Sequence, residues 1–416
     1  MGMLIYTSQI SSRIQYVFDF IFKDVLQCDY VITTDIDFFH AKAEAVKWCY
    51  GISLNGYPTL PAAQILYENH TEFQQLTPQV REDIVPLFST EPIMDVDFDI
   101  FASAFYMISR YEEYLPCIKD NHGRYLPIQS IAYRENFLKT AMVNRYIFWL
   151  IRWMKKYFPD IALKVNKPKS IISIDVDHPF YSKDISLNKW ILRSIKNMSL
   201  FTEKDKYDTF EEILASIEGL HSIFFILCPE SPSEMDHLNK RDSENFKQLI
   251  QFIRSKSQIG IHPSYYSEDK NLISEEIKWL SDQHGRAIKS SRFHYLKWDI
   301  ESSYLMLQKN EIQYDFSCAY STVAGFRAGT SFPFYFFDLN RNKSTNLKIF
   351  SPCIMDSTFR YGSSVDFESN CRELIQEVKN YGGYFIPIFH NDILADEEWK
   401  TYFQFCIQEI KHELGK

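Results

Sequence analysis

Ten polar residues stand at the ends of apolar runs in the C-terminal half of this 416-residue chain. After SIISI come Asp175, Asp177 and His178, and after QIGI comes His262. After IKSS come Arg292 and His294, after EIQY comes Asp315, and after FSPCIM comes Asp356. After FIPIF comes His390, followed by Asp392. Four of the chain's eleven histidines thus share a kind of position with five aspartates, which calls for a common pocket. Carboxylate and imidazole together form a donor set suited to Zn²⁺ or another divalent transition ion. A second carboxylate beside such an ion takes a proton from water. A histidine across from it protonates a leaving group, and an arginine orients the carboxylate or holds substrate. The chemistry these residue types predict is metal-assisted hydrolysis of an amide or ester.

The apolar runs must be strands that bring these residues together. Strand-like segments at 170–176, 222–227, 258–262, 288–295, 311–317, 331–339, 347–355 and 384–390 alternate with helical ones. The helical patterns lie near 187–198, 208–219, 243–255, 273–284, 299–309, 366–380 and 395–412. The alternation predicts parallel βαβ units, and about seven of them suit a closed or nearly closed barrel. Such barrels gather their reactive groups at the C-terminal ends of the strands. Segment 157–170, with two prolines and three lysines, reads as a boundary between domains 1–165 and 170–416. The first domain reads as mixed, with helical patterns at 13–26, 98–115 and 144–158 and a strand at 29–35. In it, SRYEEYLP (Arg110, Glu112, Glu113) reads as a solvated helix end, and LPCIKDNHGRYLP as a loop without concentrated chemistry.

Composition narrows the classes. Lys plus Arg is 45 against 54 Asp plus Glu, a net charge of −9, so binding to a phosphate backbone is not expected. Apolar residues at 45% and aromatics at 16% exclude a disordered chain. The eight cysteines form no Cys-x-x-Cys pair and several sit in apolar runs, which predicts free thiols in a reducing compartment. The first 22 residues lack the pattern of a secretory signal, and no apolar run approaches 18 residues. The expected location is the cytoplasm, with no transmembrane segment. The oligomeric state is not legible.

SIDVDHP, GIHPSY, SRFHYL and FIPIFHN, in that order at four strand ends, resemble the motifs of the polysaccharide deacetylase (NodB-homology) family of carbohydrate esterases. The resemblance covers about 170–416. SRYEEYLP and LPIQSIAYRENFL look like the uncharacterised N-terminal domain of a bacterial subgroup of that family. It implies an α/β fold in which a (β/α)7-type barrel follows a smaller mixed α/β domain. It implies Asp175 as catalytic base, Asp177 and His262 as metal ligands, Arg292 as the arginine of the third motif, and His390 as general acid. The family's His-x-x-x-His motif reads here as His262 and Tyr266, one imidazole short. His294 or His178 is placed to supply the missing ligand; otherwise the site binds metal weakly or not at all. Asp315 stands in for the aspartate that tunes His390, and GFRAGT, with Arg327, looks characteristic of the subgroup. Arg327, Asp315, Asp356, Tyr266 and Trp298 are the candidate substrate-binding residues. The implied cofactor is a divalent metal, zinc first, with cobalt or nickel as alternatives.

The activity implied is removal of an N- or O-acyl group from a sugar or sugar conjugate in bacterial surface-glycan metabolism. A cytoplasmic enzyme would meet a nucleotide- or lipid-linked intermediate. The alternative is a catalytically inactive barrel that binds glycan or acts as a scaffold, for which Tyr266 speaks. A third reading is a metal-free glycosidase using Asp175 and Asp356, with carboxyls roughly 5 to 9.5 Å apart; four histidines at strand ends weigh against it.

Overall fold

The computed structural model describes residues 2–181, 205–230, 233–236, 241–269, 271–362 and 366–415; the helix expected at 187–198 lies outside them. Near the N-terminus, β1 (Met3–Thr7), β2 (Tyr30–Thr33), β3 (Val46–Tyr50) and β4 (Thr59–Leu60) form a parallel sheet in the order β2-β1-β3-β4. The helix Ser12–Phe18 starts on the Ser11 hydroxyl, which accepts from the Ile14 amide, and runs on into a π-helical stretch, Asp19–Val25. The two stretches drive Phe18 and Phe22 into rings from Trp48, Tyr50 and Phe101. An antiparallel hairpin, β5 (Ser89–Ile93) and β6 (Val96–Phe98), follows.

The second sheet positions the residues of interest. After β7 (Lys169–Ser170) come β8 (Ile172–Val176), β9 (Ser222–Leu227), β10 (Gln258–His262), β11 (Ser290–Ser291) and β12 (Tyr314–Asp315). They are followed by β13 (Phe334–Asp338), β14 (Lys343–Ile349), β15 (Ile354–Met355), β16 (Tyr384–Phe385) and β17 (Pro387–His390). β7 pairs with β16; the other nine form one sheet, β13-β14-β12-β11-β10-β9-β8-β17-β15. The last strand, β17, lies parallel to the first, β8, which gives the order the cyclic character of a barrel. Closure stops there: among the described residues no ladder joins the edge strands β13 and β15. The run at 331–339 is also no βαβ strand, because β13 folds back antiparallel on β14. β11 and β12 keep only two residues each, since Arg292 and Asp315 turn into the interior at their ends.

Helices cover this sheet through apolar stripes. In Glu244–Arg254, capped by the Ser243 hydroxyl, Phe246, Leu249, Ile250 and Ile253 are buried at helical spacing. Phe367–Tyr381, capped by Asp366, buries Phe367, Cys371, Leu374, Ile375 and Val378 in the same way. The eight cysteines are all free thiols, six of them buried. No helix among the described residues is long and apolar enough to cross a membrane.

One apolar cluster runs through both sheets, and buried polar groups tie them together. Arg327 of GFRAGT donates to both oxygens of Glu113, at 2.9 and 2.7 Å, and to the Ala319 carbonyl at 2.8 Å. Arg110 donates to Glu113 at 2.8 Å and to the Arg327 carbonyl. The Arg327 guanidinium stacks on Trp298 and Tyr320. SRYEEYLP is therefore no solvated helix end. Arg110 takes a left-handed conformation (φ 52°) that ends the helix Ile100–Ile108, and Arg110, Glu112 and Glu113 turn inward.

Candidate metal and acid–base site

Strand register assembles the first row. Asp175 lies opposite His390 across β8 and β17, and Leu227 opposite His262 across β9 and β10. Alternate residues share a strand face, so Ser173 and Asp175 point the same way. Arg292, fully buried just past β11, reaches both: Nη1 donates to Asp175 Oδ1 and Nη2 to Ser173 Oγ, each at 2.7 Å. Its Nε donates to the Phe316 carbonyl at 3.1 Å, and its Cζ lies 4.4 Å from the Phe225 ring centre. Burial pulls the Arg292 pKa down while the Asp175 carboxylate opposes this. Gly260 pairs with Phe225 across the ladder, and a Cβ there would fall 2.6 Å from that ring, so glycine makes room for the support beneath Arg292.

Two histidines are oriented by their outer nitrogens. His262 Nδ1 lies 2.6 Å from the Arg292 carbonyl, an acceptor only, so Nδ1 carries a proton and Nε2 is the atom turned toward the site. His294 Nδ1 lies 3.0 Å from Asp236 Oδ1 in the same relation. The two Nε2 atoms converge on Asp177, at 3.2 Å from Oδ1 and 3.3 Å from Oδ2. Asp177, His262 and His294 are a group able to hold a metal ion, their ligand atoms all within 4.8 Å of one another. Tetrahedral zinc with bonds of 2.0–2.1 Å separates its ligand atoms by about 3.3 Å, which is the distance each imidazole keeps from one oxygen of Asp177. The backbone carbonyl and carboxylate behind the imidazoles are the usual outer partners of metal-bound histidine. Burial lowers the His294 pKa, but Asp177 and Asp236 on either side outweigh it and push it up to about 9. A divalent ion competes for the place of that proton. Burial works against an ionised Asp177, yet the two imidazoles hold its carboxyl well below the usual range.

His390 faces this group. Its Nδ1 lies 2.6 Å from Asp356 Oδ1, and its backbone amide donates to Asp356 Oδ2 at 2.7 Å. Its Nε2 is 3.9 Å from both Asp175 Oδ2 and Asp177 Oδ2. Burial disfavours the imidazolium, but Asp356, Asp177 and Asp175 together hold the pKa well above the ordinary histidine value.

A cleft of about 530 Å³ opens over these groups. Asp175, Asp177, His262, His294 and His390 all line it. His178 lines it too, but points to Asp392 (3.8 Å) and stands outside the ligand group. Asp356 is not a substrate contact: it is fully buried and spends both oxygens on His390, which also removes it as a glycosidase acid. Asp315 does not reach the cleft either. It is fully buried, accepts from Ser291 and Ser317, and burial pushes its pKa up to about 6. Arg327 belongs to the contact with Glu113, and Trp298 packs beneath it while donating to the Ser317 carbonyl. Tyr266 stands beside Tyr265, outside the lining. In place of these, the cleft is walled by Tyr295, Tyr361, His122 and Arg124. Asp236, His122 and Arg124 are residues that motif reasoning misses: they lie in loops, with no run of spacing to mark them.

Residues 3–159 match the model of a family of unknown function, DUF7033. No curated protein matches the chain. Solved structures similar to it include one described as a polysaccharide deacetylase from Mycobacterium smegmatis, at 12% identity over 59% of this chain and 84% of that one, TM-score 0.37. A family 4 carbohydrate esterase from Streptomyces lividans matches at 9% identity over 59% and 88%, TM-score 0.30. A polysaccharide deacetylase from Bacillus cereus matches at 10% identity over 59% and 88%, TM-score 0.27. A likeness of that extent assigns no chemistry, which has to come from the site itself.

Proposed function

We propose that the chain is a metal-dependent hydrolase that removes an N- or O-acyl group from a sugar or sugar conjugate, in bacterial surface-glycan metabolism. One observation carries the reading: two imidazoles with their Nδ1 atoms engaged converge through Nε2 on Asp177, across from a His390–Asp356 pair, with Asp175 between. Asp177, His262 and His294 would hold a divalent ion, which would supply Lewis acidity when bound. Asp175, one oxygen held by Arg292, keeps the other for the proton of the attacking water. His390, locked through Nδ1 on Asp356, starts protonated and delivers its Nε2 proton to the departing amine or hydroxyl. The half-exposed Tyr295 and exposed Tyr361 offer ring faces to a sugar, and the cleft is sized for a small ligand.

Tyr266, the residue that speaks for an inactive barrel, loses that weight because His294 fills the ligand group without it. The test is metal content of protein purified without chelator and then soaked with Zn²⁺, Co²⁺ or Ni²⁺, followed by assay of acetate release from N- and O-acetylated sugars. Near-stoichiometric metal and acetate release are expected. A protein that retains none of the three ions is a glycan-binding or scaffold barrel instead.

A further inference from the structure

We infer that the N-terminal region completes the site: Arg124 is a positioning residue that holds His294 through the backbone of Tyr295. This rests on the reading of Asp177, His262 and His294 as metal ligands. Immediately after His294 the chain passes through two successive non-glycine residues in the left-handed region, Tyr295 at φ 59° and Leu296 at φ 51°. Side-chain-bearing residues adopt that conformation at a cost, and it persists where the surroundings impose it. Two things impose it here. The Leu296 amide closes the turn on the Phe293 carbonyl at 2.9 Å, and the Tyr295 carbonyl accepts from Arg124 Nη1 at 2.7 Å.

Arg124 is itself rigidly held. Its Nε and Nη2 both lie 2.8 Å from Asp120 Oδ2, while Asp120 Oδ1 accepts the backbone amides of His122 and Arg124, each at 2.9 Å. Segment 120–124 is thus a stiff turn reaching from the N-terminal region onto the wall of the cleft. It makes a second contact on the same target. His122 Nδ1 lies 2.9 Å from the Tyr265 hydroxyl. The Tyr265 amide donates at 2.9 Å to Asp236 Oδ1, the oxygen that also faces His294 Nδ1. The Tyr295 ring packs 4.5 Å from the His294 ring. One arm of the turn therefore fixes the backbone that carries His294, and the other steadies the carboxylate that sets its tautomer.

The test measures Zn²⁺ affinity of the full chain by competition with a chromogenic chelator, together with the Co²⁺ absorption spectrum. The proteins are wild type, Arg124→Ala, Arg124→Lys and, as control, Lys119→Ala, whose exposed side chain pairs with Asp299 on the same loop. Loss of an outer partner of a metal ligand costs about 10- to 100-fold in affinity, and Arg124 acts one step further out. Arg124→Ala is expected to weaken Zn²⁺ binding about tenfold and alter the Co²⁺ spectrum. Arg124→Lys, able to reach Asp120 or the Tyr295 carbonyl but not both, falls between, and the control is unchanged. Wild-type affinity and spectrum in Arg124→Ala would overturn the inference; if that variant does not fold, wild-type values in Arg124→Lys do so. A wild type that binds no Zn²⁺ overturns the metal reading and this inference together, whereas equal binding by wild type and variant overturns this inference alone.

Discussion

Two clusters of buried charge sit in this molecule, built from the same kinds of residue. One joins the regions: Arg110, Glu113 and Arg327. The other lies under the cleft: Asp175, Asp177, His262, His294 and His390 around Arg292. In the first, donors close on acceptors. Glu113 takes hydrogen bonds from both arginines, and the remaining guanidinium directions end on carbonyls, Glu112, the Tyr320 hydroxyl and aromatic faces. In the second, the outer atoms are closed in the same way, but the inner imidazole nitrogens and carboxylate oxygens converge on one another along a cleft wall. Burial of charge is common to both, so burial does not mark function. What separates them is whether the last polar atoms are closed inside the packing or open onto a cleft, where the proposed metal and substrate would meet them.

The sharpest way to break this contrast is to remove one inner ligand. Asp177→Ala is expected to lose bound metal and to cut acetate release by at least about 10⁴-fold, with its far-UV spectrum intact. Elemental analysis and the acetate assay check it; retained metal would mean that the converging groups are not a metal site. His390→Ala comes next. It is expected to keep its metal and lose about 10²- to 10⁴-fold in kcat, the range for one acid–base group. Loss of metal in that variant would move His390 into the ligand set.

The joining cluster should respond in the opposite sense. Glu113→Ala leaves the buried Arg327 guanidinium without a carboxylate and Arg110 with Glu112 alone, which costs about 3–5 kcal/mol of stability. Denaturant titration should show the loss, while metal content per folded chain stays at the wild-type value. The pH dependence follows from the same geometry. Burial raises the Glu113 pKa, but Arg327 and Arg110 outweigh it and hold the folded value below the ordinary one. Its stabilisation is therefore fully present above the unfolded pKa of about 4.3 and is lost as pH falls through the lower folded value. Thermal melts between neutral pH and about pH 3 should fall more steeply for wild type than for Glu113→Gln.

The same contrast says what a sequence reveals. The inner residues of the candidate site were legible because they follow apolar runs, and strand periodicity carries Ser173 and Asp175 onto one face. His294, which joins Asp177 and His262 in a group able to hold a metal, was legible as a candidate once Tyr266 stood where a second histidine was expected. The supports were not. Asp236 lies in a loop well past the end of β9, and its approach to His294 depends on how that loop folds back. Arg327 and Glu113 are 214 residues apart, and Arg124 and Tyr295 are 171 apart, so no local spacing couples either pair. GFRAGT and SRYEEYLP stood out singly, as a possible substrate contact and a helix end; only the packing of the two regions makes them one ion cluster. The antiparallel return of β13 was hidden for a similar reason, since the β13–β14 hairpin reads as another apolar strand of the alternating series.

The smallest expected effect concerns the aromatic rim, where sequence and structure choose different residues. Tyr266 and Trp298 are near the strand ends in the chain, yet neither lines the cleft. Trp298 is buried against Tyr304 with its indole nitrogen bonded to the Ser317 carbonyl, so its loss is a packing event. Tyr361 is 77% exposed at the cleft mouth and supports little of the core. A ring of that kind contributes through its face, by an amount comparable to an aromatic contact of about 1 kcal/mol, or about fivefold in affinity. Tyr361→Ala should therefore raise KM for an acetylated sugar about fivefold and leave kcat, metal content and Tm near wild type. Trp298→Ala should do the reverse, lowering Tm by several degrees with KM in the folded fraction little changed, because a buried aromatic truncation costs about 3–5 kcal/mol. Tyr266→Ala should change KM less than Tyr361→Ala. If instead Tyr266→Ala gave the larger KM effect, the sugar would lie along the Tyr265–Tyr266 side of the mouth, and the cleft would extend beyond the wall formed by His122 and Tyr295.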